Sequence, residues 1–264
     1  MIILFYLALT IAFIITSTAK YKIHPFLVLI FASLIMGFMG GLEPNVILKT
    51  LSEGFGNTLK SIGIIIAGGS IIGVFLEKTR AAQSIAEKIV KIVGDSNSSL
   101  AMNLTGGIVS IPVFCDSGFV ILSSLNNAIN KKTKISLAIL GTSLAAGLYT
   151  THVFVPPTPG PLAAASILGA NVGLVLLYGL IIAIPVSLVG WFWSVFYCSK
   201  FSIHQENENE VDLKKENNEI PKTYKSILPI IMPILLITTK SIIEHPSITI
   251  NNSFINNIIL FLGH

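Results

Sequence analysis

SLAMNLTGGIVSIPVFCDSGFVILSSL, Ser99 to Leu125, is long and apolar enough to enter a bilayer, yet Gly106, Gly107, Pro112, Asp116 and Gly118 crowd its middle. Proline removes a backbone donor and clashes with the preceding turn of a helix, and glycine weakens one, so a straight span is not expected here. Backbone groups freed by a break find no water in hydrocarbon. Such a break is tolerated only where protein or a cavity satisfies them. The stretch therefore either crosses with a kink or turns back as a re-entrant hairpin, and every later loop changes sides with that choice.

The placement of Lys and Arg decides between the two, because cytoplasmic loops carry the excess of these residues. A hairpin puts Lys20, Lys22, Lys78, Arg80, Lys88, Lys91, Lys131, Lys132, Lys134, Lys200, Lys214, Lys215, Lys222 and Lys225 inside, leaving Lys49, Lys60 and Lys240 outside. A crossing leaves only the first six and Lys240 inside. The charge pattern favours the hairpin.

Outward from this stretch the chain stays apolar: 52% of residues are hydrophobic and 11% charged, with a mean hydropathy of +0.79. Apolar segments fall at about 2–18, 25–42, 59–76, 99–125, 135–172, 173–198, 226–239 and 254–264. A bilayer core of about 30 Å takes about 20 such residues per helix, so the expected fold class is all-α, a polytopic membrane protein. The 135–172 segment is interrupted by PPTPGP, Pro156 to Pro161, and reads as a broken helix. Residues 1–18 lack the basic start of a secretory signal, and their positive residues follow the apolar run, so they read as a retained span with the N-terminus outside.

Between Lys78 and Val93, Ala81, Ala82, Ile85, Ile89 and Ile92 recur at helical spacing, which predicts an amphipathic helix on the cytoplasmic membrane surface. Residues 199–225, with QENENEVDLKKENNEIPK at their centre, read as a hydrophilic cytoplasmic linker. The final apolar run, Ile258 to Gly263, is shorter than a span, which reads as a chain broken off mid-helix. The net charge of +4 sits between apolar runs rather than on a basic face with interleaved aromatics, so nucleic acid is not an expected partner and the lipid bilayer is. No zinc-protease, nucleophile-elbow or phosphate-loop motif occurs. An enzyme and an ATP-driven pump are thereby disfavoured, no cofactor is implied, and an ion-gradient-driven carrier remains.

Two constellations carry the polar groups, SIPVFCDSGF (Ser110–Phe119) and GLYTTHVFVPPTPGP (Gly147–Pro161). A helix broken at membrane depth exposes N-terminal N–H groups whose partial positive charge suits an anion. Ser110, Ser117, Gly118, Thr158 and Gly160 are the candidate donors. Asp116 is either a proton-coupling carboxylate or a cap of the second half-helix, since a buried charge needs a partner or a proton. His152, after Thr150 and Thr151, suits hydroxyl recognition or proton transfer, or simply bonds a carbonyl. Gly68, Gly69 and Gly73 read as close helix packing, and Trp191, Trp193 and Tyr197 as interfacial anchors.

IPVFCDSGF and the His152-x-x-x-PPTPGP run resemble the gluconate permease family of sugar-acid:proton symporters, and the likeness extends over about residues 26–201. The resemblance implies two inverted repeats, each with a re-entrant hairpin and a broken helix. Residues 1–198 would form the N-terminal repeat and 226–264 the start of a truncated second one. It further implies import of gluconate or a related sugar acid with protons across a bacterial inner membrane by a homodimer. The substrate site would draw on Ser110, Asp116, Ser117, Gly118, Thr150, Thr151, His152, Thr158 and Gly160. The alternatives are a non-transporting fragment or half-carrier needing a partner, and a carrier for another small carboxylate. The chain departs from the family at Lys78–Arg80, where a small-residue turn is expected, and at Thr158, where several members carry His.

Overall fold

The computed structural model describes residues 2–203 and 220–243, and all of the regular structure among them is helical. The chain divides into two compact units, Met1–Ser61 and the part from Ile62 onward. The first holds α1 (Ile2–Ile15, continued by a π-helical turn over Thr16–Lys20), α2 (Pro25–Met39) and the beginning of α3 (Pro44–Lys78). Pro25 opens α2 at a position where its missing N–H costs nothing, and His24 Nδ1 accepts from Phe26 N–H at 3.3 Å. Thr10 Oγ1 donates to the Tyr6 carbonyl and lies 3.7 Å from Met36 Sδ, where α1 and α2 meet. The 59–76 segment is the later part of α3, whose 35 residues start at Pro44. Hydropathy missed the earlier turns because Lys49, Glu53, Asn57 and Lys60 lower it, although none of them breaks a helix.

The second unit contains the remainder of α3, then α4 (Ala81–Val93), α5 (Ser98–Val109), α6 (Cys115–Thr133), α7 (Leu137–Phe154), α8 (Pro159–Leu168), α9 (Val172–Cys198) and α10 (Thr223–Ile243). The amphipathic reading of α4 holds, and most of its apolar face is covered by protein, with Ile92 left exposed. Ala82, Ile85 and Ala86 are at most 1% exposed, packed in the core with Leu76, Met102 and Ile230, and Ser84 Oγ donates to the Pro221 carbonyl at 2.7 Å. A spacing argument finds the face of a helix; it cannot choose between protein and lipid as what covers it.

Residue pairings give the direction of each helix. Asn103 meets Ser143 and Gly107 meets Thr151, so α5 runs parallel to α7. Asp116 meets Tyr149 and Phe119 meets Gly141, so α6 runs antiparallel to α7. Helices α5 and α6 are therefore a hairpin with its tip at Ser110–Phe114, and its base is joined by Lys132 Nζ and Asp95 Oδ2 at 2.7 Å. The close approach of α5 and α7 needs Gly147: a Cβ there would collide with the Asn103 carbonyl. Lipid tails supply no hydrophobic drive between helices, so such backbone proximity and internal hydrogen bonds carry the association.

Those bonds form a polar seam through α5, α7 and α9. Asn103, fully buried, donates to the Ser143 carbonyl at 3.0 Å and accepts from Ser187 Oγ at 2.6 Å. Ser194 Oγ donates to the Ile139 carbonyl, so its 2.9 Å contact with Ser143 Oγ takes the Ser143 proton. Trp191 Nε1 donates to Ser99 Oγ at 3.1 Å, which ties this ring to α5 rather than leaving it an anchor. Trp193 and Tyr197 remain exposed and stacked, centroids 4.9 Å apart.

Among the described residues, four helical stretches are long and apolar enough to cross a membrane: Ile2–Lys20, Pro44–Lys78, Leu137–Leu168 and Val172–Cys198; Pro25–Met39 is a shorter apolar helix. Together they fit a multi-pass membrane protein. The 226–239 segment lies within α10, whose Ile230 joins the main core of the second unit. Most of the hydrophilic linker, residues 204–219, and the 254–264 apolar run lie outside the described residues.

Candidate functional site

Helix α5 ends because Pro112 cannot continue it. Ser110 N–H still bonds the Gly106 carbonyl at 3.0 Å, and Ser110 Oγ lies 3.4 Å from the Val113 carbonyl. Helix α6 then begins at Cys115, after Phe114 at the N-cap, whose side chain caps nothing. The N–H groups of Cys115, Asp116 and Ser117 precede the first intrahelical bond, from Gly118 N–H to the Phe114 carbonyl at 2.9 Å.

The second break repeats this arrangement with different chemistry. Thr158 is the N-cap of α8 but turns its hydroxyl away, and Oγ1 lies 2.8 Å from both the His152 and Val155 carbonyls at the end of α7. It thereby closes the end of one helix and leaves the start of the next open. Pro159 and Pro161 have no N–H, and Leu162 N–H bonds the Thr158 carbonyl at 3.3 Å. Gly160 N–H is the one orphan donor of that first turn.

The N-cap residues of the two helices share one cavity. Phe114 from one and Thr158 and Pro159 from the other line a single cavity of about 10 Å³, whose third wall is Ile66, Gly69 and Ser70 of α3. That volume is near the minimum for one water. His152 stands in the last turn of α7 with its ring 6.1 Å from that of Phe114, inclined at 62°, and its buried Nδ1 has no hydrogen-bond partner. Asp116 is exposed, with Oδ1 3.4 Å from Tyr149 OH, a long bond, and 3.8 Å from Cys115 Sγ.

Of the residues expected from sequence, Thr158 lines this cavity and His152 lies against Phe114, while Asp116 and Ser117 stand in the first turn of α6 and Gly160 in that of α8. Four others point elsewhere. Ser110 is fully buried at the end of α5, its N–H already used. Thr150 Oγ1 donates to the Ala146 carbonyl of its own helix, and Thr151 is buried with its hydroxyl beside Gly107. Gly118 packs under Leu148. Sequence reasoning missed Tyr149, Phe114 and Ser70 as neighbours of the site. Tyr149 stands three residues before His152, a spacing that places both on one helix face.

A profile of the GntP family permeases matches residues 2–264. The chain is 30% identical to a gluconate permease of Pseudomonas aeruginosa over 235 residues, 88% of this chain and 52% of that protein. It is 31% identical to an L-idonate transporter of Escherichia coli over 239 residues (90% and 54%) and 32% identical to a D-serine transporter of Escherichia coli over 240 residues (90% and 54%). The chain spans about half the length of the curated relatives it matches. No solved structure matches it. The profile match over nearly the whole sequence shows the family outright: the chain belongs to the GntP family permeases.

Proposed function

We propose that the chain supplies one half of a secondary carrier that imports gluconate or a related sugar acid together with protons. The observation that carries this reading is a pair of uncapped helix N-termini whose N-cap residues, Phe114 and Thr158, line one cavity, and uncapped N-termini suit a carboxylate. The three relatives are named for gluconate, L-idonate and D-serine, which share a carboxylate beside a carbon bearing a hydroxyl or an amine. Asp116 and His152 are the proton-coupling candidates, one exposed next to Tyr149, the other with a buried, unpartnered nitrogen.

In this reading α5 and α6 form a re-entrant hairpin in a bacterial inner membrane, with the N-terminus outside. The 12 residues of α5 rise about 18 Å, well short of a bilayer core of about 30 Å. Residues 1–198 act as the first of two inverted repeats, 199–225 as a cytoplasmic linker, and the region from 226 as the opening of the second repeat. Two copies form a dimer. The exposed flank bearing Asp116 and Tyr149 is where the second half of the family's longer proteins would complete the site.

Labelled gluconate uptake in cells lacking their own permeases tests this, comparing the chain alone with the chain joined to the C-terminal half of a gluconate permease. Uptake by the joined form supports the carrier. Absence of uptake by both, with both present in the membrane, favours a non-transporting fragment. Competition by citrate but not by sugar acids would move the substrate to another class of carboxylate.

A further inference from the structure

The wall that α3 adds to the paired breaks is built on two glycines one turn apart, and they are not equivalent. A Cβ at Gly69 would meet the Pro157 ring at 3.4 Å, an ordinary contact with a side chain. A Cβ at Gly73 would lie 2.5 Å from the Pro112 carbonyl oxygen and 3.5 Å from Val113 Cα, both backbone atoms of the hairpin tip. Pro112 stands two residues before the N-cap of α6, so whatever displaces its carbonyl displaces that N-terminus.

The tip has no room to retreat. On another side, Pro112 and Pro157 share a cavity of about 10 Å³ with Pro229, Ile230 and Pro233 of α10, too small to accept a displaced peptide. A helix on one side and two prolines on the other thus hold the tip at a fixed distance from the break in the α7–α8 segment.

We infer that Gly73 is a positioning residue: by letting α3 approach the Pro112 carbonyl, it sets the separation of the α6 and α8 N-termini, and with it the size of carboxylate that fits between them. The size selection rests on the carboxylate reading above; the positioning does not. Gly68 is the matched control, since a Cβ there meets nothing within 4 Å.

Two measurements separate these claims. Spin labels at Ser124→Cys on α6 and Ile167→Cys on α8, in a Cys115→Ser, Cys198→Ser background, report the separation of the two helices without reference to transport. Gly73→Ala shifts that distance distribution and Gly68→Ala leaves it in place; an unshifted distribution overturns the positioning. In the joined protein, Gly73→Ala raises the KM for gluconate at least fivefold and changes the ranking of gluconate against the shorter D-serine as competitors, while Gly68→Ala stays within twofold. A shifted distance with unchanged KM and ranking overturns the size selection. Transport of no acid by the parent overturns the carboxylate reading and leaves the distance result standing. The double variant Gly73→Ala/Pro233→Ala, which gives the carbonyl room on the α10 side, returns both readouts toward the parent and serves if the single variant does not fold; a double variant displaced as far as the single one contradicts the clamp.

Discussion

At Thr158 one hydroxyl determines the character of two helix ends. Turned toward the His152 and Val155 carbonyls, it satisfies the end of α7 and leaves Gly160 N–H without a cap. Thr158→Ala removes that bond, and thermal unfolding in detergent should show a loss of about 1 kcal/mol, the usual worth of one hydrogen bond. Gly160→Ala should unfold like the parent, because a Cβ there meets nothing within 4 Å, yet it should weaken gluconate uptake severalfold by crowding whatever the N–H holds. Asp116→Asn should abolish accumulation against a gradient while leaving some counterflow exchange. Unchanged accumulation between about pH 6 and 8 would remove Asp116 from the coupling role. Much of this was legible residue by residue: Pro112, Pro159 and Pro161 announce missing donors wherever they stand. The direction of the Thr158 hydroxyl was not legible, since an N-cap threonine ordinarily bonds forward.

Among the elements, the fold-back of α5 and α6 was readable from its breakers, because proline acts locally. The partners of α3, α4 and α10 were not. The Gly69–Gly73 spacing signalled a close contact but not that the contact is with Pro112 and Pro157, and nothing in spacing could bring Pro233 to a tip some hundred residues earlier. The polar seam should be a measurable part of the bundle's stability. Asn103→Leu removes two side-chain bonds, and at about 0.6 kcal/mol each in a membrane protein the cost should be about 1 kcal/mol in detergent unfolding. The Lys132–Asp95 pair is more than half exposed, so a double-mutant cycle should assign it less than about 1 kcal/mol despite its 2.7 Å length.

For the whole molecule, topology and transport are the two claims that join these parts. A membrane-impermeant thiol reagent should reach cysteines placed at Ser96 and Lys132 from the cytoplasmic face alone, as the distribution of Lys and Arg requires; labelling from opposite faces would mean that the hairpin crosses. The most direct test of the central claim, that the paired N-termini hold a carboxylate, is competition for labelled gluconate uptake by the chain joined to a permease C-terminal half. The account predicts uptake that collapses with a protonophore and is displaced by L-idonate but not by the uncharged polyol of the same carbon chain. Equal displacement by the polyol would contradict it.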